Sequence, residues 1–313
     1  MFNKTLISVL VASTFTVTAF ADETINQPFD TFISGDFGHS SYSPDGYPHV
    51  GDSDYNLRAS ASYQNPNKFG AQFDGVYSKR NLDRADVSTA DLAGHLFYRN
   101  DRFLVGVFGQ YRNPKLNISS TDLSADLISR FAADYVVSEQ AFWGAEGQAY
   151  FGDVTVSGQL AKQEFINQKD ISGQGTVLND GYVANLKAKY FLKDNWKIEA
   201  SYAYNQINCN QGGIPINGQS ADSADQRTFG IGTEYRFTDN PVSLYAQYNR
   251  NEFNIGNWNI DSNQFLAGLK INFGASTLKD RDRSGASLDP VTQTSTEGVL
   301  LGHFLNNNPT FIP

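Results

Sequence analysis

The sequence predicts an all-β fold, a transmembrane antiparallel β-barrel of twelve strands, with ten or fourteen as the alternatives. Three observations predict it. Twelve segments of about ten residues alternate apolar and polar side chains, the connections between them alternate between short and long, and aromatic residues recur eight apart on the apolar face of nine segments.

The segments are 29–38, 55–64, 69–78, 90–98, 103–111, 141–151, 154–163, 181–191, 196–205, 227–237, 242–249 and 263–273. In 196–205, Trp196, Ile198, Ala200, Tyr202 and Tyr204 share one face, opposite Lys197, Glu199, Ser201, Ala203 and Asn205. In 263–273, Phe265, Ala267, Leu269, Ile271 and Phe273 oppose Gln264, Gly268, Lys270 and Asn272. A period of two belongs to a strand with one dry and one wet face.

The short connections are 65–68, 99–102, 152–153, 192–195 and 238–241, all rich in Asn, Asp, Gly or Pro, which favour tight turns. Between them lie long polar stretches, including 112–140 and 205–226. One end of the structure therefore carries turns and the other carries loops, as in barrels of the bacterial outer membrane.

The aromatic pairs are Phe29 and Phe37, Tyr55 and Tyr63, Phe69 and Tyr77, Phe103 and Tyr111, Trp143 and Phe151, Tyr182 and Tyr190, Trp196 and Tyr204, Phe229 and Phe237, and Phe265 and Phe273. Eight is even, so both rings of a pair face the same way, roughly 26 Å apart along an extended strand. With a tilt of about 35–45° they fall near the two edges of an apolar band roughly 25 Å tall. Tyr and Trp suit those edges because one end of each ring is apolar and the other wet. Outward positions between the paired rings carry no charge, as lipid contact requires.

Composition agrees. The 313 residues include 27 Gly, 23 Phe, 16 Tyr and a single Met, and the negative mean hydropathy is too polar for a helical membrane protein. Acidic residues outnumber basic ones by 33 to 24, which disfavours a nucleic-acid partner. One cysteine, Cys209, excludes an internal disulfide or a multi-cysteine metal site. Met1 to Lys4, the apolar run Leu6 to Thr18 and Ala19-Phe20-Ala21 read as a secretory signal peptide cleaved after Ala21. The expected divisions are therefore a signal peptide (1–21), a barrel (22–274) and a periplasmic tail (275–313) that is solvated or docks at the barrel mouth.

The leader, the strand pattern and the last strand, Gly268-Leu269-Lys270-Ile271-Asn272-Phe273, resemble bacterial outer-membrane β-barrel proteins of the porin-like kind. The resemblance implies an outer-membrane location, contact with lipid, and reading of Gly268, Ile271 and Phe273 by the barrel-assembly machinery. The chain departs from the pattern by continuing to Pro313.

Parity assigns Asp36, Asp74, Asp91, Glu146, Glu199 and Glu234, with Arg58, Lys187, Lys189, Lys197, Arg236 and Lys270, to the lumen, and His95 beside them. Four of the acids fall on the first six segments and five of the bases on the last five, so an acidic arc faces a basic arc. Opposed charges in a narrow pore orient dipolar solutes; the alternative is an interior in which side chains neutralise one another. The expected function is passive diffusion of small polar or charged solutes, without cofactor, metal or catalytic residue. A closed structural or adhesion barrel working through its loops is the second reading, and an outer-membrane hydrolase the third.

Other features carry weaker expectations. In 112–140, Leu123, Leu127, Phe131 and Tyr135 fit either a helix folded into the pore or a protruding strand. His39 and His49 lie near Asp36 and Asp45 in sequence, while His95 and Asp91 share a strand face roughly 13 Å apart. Cys209 reads as an exposed loop thiol. Residues Asp280 to Gly285 match half of a calcium loop but place Val291 where a ligand Glu is needed, and Val299 to Leu305 is a short apolar patch.

Overall fold

A computed structural model describes residues 28–44, 50–82, 85–118, 138–168, 178–209, 214–216, 219–221, 223–255 and 258–291. Its elements are β1 (Phe29–Pro44), β2 (Val50–Gln64), β3 (Phe69–Leu82), β4 (Ala85–Arg99), β5 (Phe103–Ile118), β6 (Glu139–Phe151), β7 (Val154–Ile166), β8 (Leu178–Lys193), β9 (Trp196–Cys209), β10 (Ile214–Ile216), β11 (Gln219–Ala221), β12 (Ser223–Arg236), β13 (Val242–Ile255), β14 (Trp258–Phe273) and a short helix α1 (Leu278–Ser284). Twelve of the strands form one closed antiparallel barrel, in the order β1-β14-β13-β12-β9-β8-β7-β6-β5-β4-β3-β2, and β10 and β11 form a separate hairpin in the β9–β12 connection. The seam between β1 and β14 pairs Thr31 with Phe273 and Asp36 with Gly268. Closure leaves no open edge, so every strand can cross hydrocarbon with its backbone groups paired.

Each alternating segment lies within one barrel strand, except that 227–237 overruns β12 by one residue. Several strands run further at the loop end than the alternation does. β1 continues through Ser40-Ser41-Tyr42-Ser43, still paired with β14. Above the membrane both faces of the ladder meet water, so backbone pairing persists where the side-chain period fades.

The outward face carries the paired rings as two girdles. Phe29 and Tyr63 are register partners at the turn end with centroids 4.8 Å apart; Phe37 and Tyr55 are partners at the loop end, 5.2 Å apart. Tyr98 joins the turn-end girdle between Phe69 and Phe103, at 5.4 and 6.1 Å. Trp143, Tyr182, Phe229 and Phe265 are exposed at the loop end, and Phe151 and Trp196 at the turn end. Tyr111, Tyr204 and Phe273 are half-buried. Between the girdles the outward residues are exposed and apolar, among them Phe73, Leu96, Leu160, Ile231 and Leu269.

Tyr77 and Tyr190 are exposed as expected, Tyr77 between Leu57 and Ala90 and Tyr190 between Val154 and Ile198. Phe237 is not in a strand. β12 ends at Arg236, and Phe237 opens the turn, its N–H donating to the Val242 carbonyl at 3.1 Å and its own carbonyl accepting from Asn240 at 3.2 Å. Its ring is still exposed and meets Tyr235 edge-on at 5.5 Å.

The inward face is not uniformly polar. Phe97, Leu104 and Tyr150 cluster around Leu288, and Phe108, Phe142, Ala161 and Val183 cluster around Val291. Both clusters are completed by residues that follow the last strand. The chain turns off β14 at Gly274, whose φ of +123° is open to glycine, and a Cβ there would lie 2.8 Å from Asp30 Oδ1 and 3.0 Å from the Phe29 carbonyl. α1 is then capped by Thr277, whose hydroxyl accepts from the Asp280 N–H at 3.0 Å. Asp280 in its first turn and Arg281 and Arg283 in its last complement the helix dipole.

Candidate functional site: the lumen and the segment within it

The alternation of each strand sends the predicted charges inward, where Asp74, Asp91, His95, Glu146, Lys189, Glu234 and Arg236 are buried and Asp36, Arg58, Lys187, Lys197, Glu199 and Lys270 half-buried. Most of them meet partners in ion pairs and hydrogen bonds across the lumen. Arg58 donates Nε and Nη2 to Asp74 Oδ1 at 3.1 and 2.7 Å, and His95 sits between Asp74 (3.3 Å) and Glu146 (2.8 Å). Lys197, Lys270 and Arg281 converge on Glu234 at 3.3, 3.0 and 3.0 Å, and Lys197 also pairs with Glu199 at 2.7 Å. Nearer the loop end, Asp36 accepts from Asn56 and from the Tyr245 hydroxyl, both at 2.6 Å, and Asp91 pairs with Arg112 at 2.8 Å. Arg236 lies at the turn end and donates to the Ala275 carbonyl at 2.5 Å.

The segment 275–291, expected to be solvated or to sit at the mouth, runs inside this ring. Asp30 receives the Ala275 and Ala286 N–H groups at 3.0 and 2.7 Å. Arg99, fully buried, donates to the Gly285 carbonyl (2.9 Å) and the Ser287 hydroxyl (2.8 Å). Two inward glutamines hold the backbone as a strand edge would, each amide offering one donor and one acceptor. Gln72 donates to the Leu288 carbonyl at 2.6 Å and accepts its N–H at 3.2 Å; Gln110 does the same for Val291 at 3.0 and 2.7 Å.

The segment also brings carboxylates to the basic arc. Asp282 takes Lys189 at 2.8 Å and the Thr155 hydroxyl at 2.5 Å. Asp289 takes Arg58 on one oxygen at 2.7 Å and Lys187 on the other at 2.8 Å. β2 and β8, which carry that arginine and lysine, are six places apart whichever way the ring is counted. Asp289 therefore links opposite walls. Burial alone would raise its carboxyl pKa, but the Lys187 and Arg58 charges outweigh that and hold it well below the usual carboxylate range. Asp282 is lowered for the same reason, with burial opposed by Lys189.

Because the segment leans on β3 to β8, space remains on the other side. A cavity of about 220 Å³ lies between it and the wall formed by β1–β3, β8, β9 and β12–β14. The cations of that wall are Arg58, Lys187, Lys189, Lys197 and Lys270, and its carboxylates are Asp36, Glu199 and Glu234. A second space of about 90 Å³ adjoins it near Gln159, Asn249 and Asp289.

Several weaker sequence expectations resolve differently. Asp280 to Ser284 are helical, with Asp280 bonded to Ser276 and Asp282 to Lys189, so they do not wrap a common centre. His39 is exposed on the outward face of β1 while Asp36 faces inward, and His95 and Asp91 have separate partners. Residues His49, Asp45, 119–137 and 299–305, and the signal peptide, lie outside the described residues, as does the Cys209 side chain. Sequence reasoning passed over Gln72, Gln110, Arg99 and Asp289. The surviving signal is the row of inward glutamines and the apolar residues that interrupt the polar face.

No protein-family model matches the chain, and no curated protein matches its sequence. Solved structures do. An outer membrane channel from Pseudomonas putida F1 aligns over 81% of this chain and 100% of its own, with 14% identity and a TM-score of 0.60. The translocator domain of the autotransporter NalP from Neisseria meningitidis covers 85% of this chain and 96% of its own at 11% identity and a TM-score of 0.48. The KdgM porin, solved with disordered oligogalacturonate, covers 76% and 99% at 11% identity and a TM-score of 0.41. The pairing of the twelve strands and the likeness to the P. putida channel agree: this chain has the fold of the outer-membrane β-barrels.

Proposed function

We propose that the protein is a porin-like channel of the bacterial outer membrane, exported by a signal peptide cleaved after Ala21, through which small polar or charged solutes diffuse passively. The observation that carries this is the cavity of about 220 Å³ beside the inserted segment, walled by charged side chains. It is well above the roughly 10–15 Å³ that admits one water. A lumen lined in this way favours solutes that exchange hydration for ion pairs and hydrogen bonds, and resists apolar ones. The segment 275–291 narrows the path. The reading assigns no catalytic residue, metal or cofactor, and its partners are outer-membrane lipid, the assembly machinery and small polar solutes.

The experiment is ion conductance in planar bilayers, comparing the full chain with a chain truncated after Gly274. The full chain is expected to conduct in small steps and the truncated barrel in larger ones. Two correctly assembled proteins that never conduct would overturn the proposal.

A further inference from the structure

Asp289 occupies a place that the wall has prepared without it. Asp74, fully buried, already fixes the Arg58 guanidinium through Nε and Nη2, so only Nη1 turns to Asp289. Lys187 is flanked by Glu199 at 3.7 Å and Lys189 lies two residues along the same face of β8. Cations outnumber carboxylates on the cavity wall by five to three, and the inserted segment supplies Asp282 and Asp289 against one arginine. The contact is also reachable: the side chains of Arg58, Lys187 and Asp289 are 19%, 25% and 34% exposed to the cavity beside them. Two carboxylates of one short segment thus meet three cations, Arg58 from one wall and Lys187 and Lys189 from the wall opposite.

We propose that Arg58, Lys187 and Lys189 form a binding station for small dicarboxylates in the lumen, which Asp289 and Asp282 fill when the station is empty, so that a dicarboxylate solute displaces the segment. A carboxylate on Arg58 and Lys187 reproduces the two contacts of Asp289, and a second carboxylate reaches Lys189 in place of Asp282. Acetate satisfies only one of these positions. The inference rests on the channel reading for its physiological meaning, but binding is measured without conductance, so the two fail separately.

The test is calorimetric titration of the full chain in detergent with succinate, with acetate and inorganic phosphate as comparators. Succinate is expected to bind more tightly than either. Asp289→Asn removes the internal competitor and should tighten succinate roughly tenfold, because the binding-competent fraction rises. Lys187→Gln should weaken it by about tenfold or more, the usual loss for a hydrogen bond to a charged group. Heat-modifiable migration verifies that each variant is assembled. A second measurement needs no variant: succinate should raise amide hydrogen exchange in 285–291 of the unmodified protein. Acetate or phosphate binding as well as succinate, an Asp289→Asn protein with unchanged affinity, or exchange in 285–291 that succinate leaves unmoved would each overturn the proposal.

Discussion

Replacing Leu288 with alanine should loosen the inserted segment while leaving the barrel closed. Leu288 is 2% exposed and packs into the cluster of Phe97, Leu104 and Tyr150. Truncating a fully buried leucine costs about 2–5 kcal/mol, and the low end applies where the site can settle around the gap. The segment is irregular and free at one side of the lumen, so we take about 2 kcal/mol, which corresponds to roughly a 30-fold rise in the undocked population. The backbone bonds from Gln72 survive the change, since they use the Leu288 main chain. The assay is trypsin cleavage after Arg281, which is 6% exposed when the segment is docked. Where opening and closing are fast relative to cleavage, the rate follows the open population. Cleavage should accelerate roughly 30-fold with heat-modifiable migration unchanged. An assembled Leu288→Ala barrel cleaved no faster than the parent would refute the assignment of Leu288 as an anchor.

Further outcomes follow from other parts of the molecule. Leu269→Lys places a charge midway between the girdle residues Phe265 and Phe273 and should cost about 2–4 kcal/mol, seen as a lower folded yield by heat-modifiable migration. Gly274→Ala forces a side chain onto a positive φ against Asp30 and should cost about 1–3 kcal/mol, read as faster proteolysis of the tail. Asp282 and Asp289 have pKa values lowered by docking, so their contribution is complete above the ordinary carboxylate value and is lost as pH falls through the lowered ones. Docking should therefore weaken progressively below about pH 4, measured as hydrogen exchange in 285–291, whereas tightening on acidification would contradict the ion pairs.

The crossing part of every strand was legible because lipid enforces a period of two over a fixed height. The same parity identified the inward charges, including the Arg58 that meets Asp289 and the Glu234 that gathers Lys197, Lys270 and Arg281. Parity also placed Tyr77, Tyr190 and Phe237 outward, where their rings are exposed, but it says nothing of where a ladder stops, which is why Phe237 falls one residue beyond β12. Nor does parity carry who answers the inward charges. Residues 275–291 have no period, and Leu278, Leu288 and Val291 stand singly among polar residues, so the stretch reads as solvated. Its placement depends on complementarity to side chains on strands far apart in sequence, such as Gln72 and Gln110, and no local pattern encodes that. Phe97, Leu104, Phe108 and Phe142, inward residues out of keeping with a wet lumen, were the trace that something apolar would arrive.

The distribution of those receiving residues has a consequence for assembly. The segment emerges directly after β14, yet its anchors stand on strands from β1 and β2 through β8 and on β12. Until β14 zips to β1, Asp30 and Arg58 do not share an enclosure with the chain that they are to hold. The complete set of anchors is therefore assembled only in the closed barrel. A barrel with an open seam would hold the segment by its β3 to β8 contacts without the full enclosure that Asp30 and Arg58 complete.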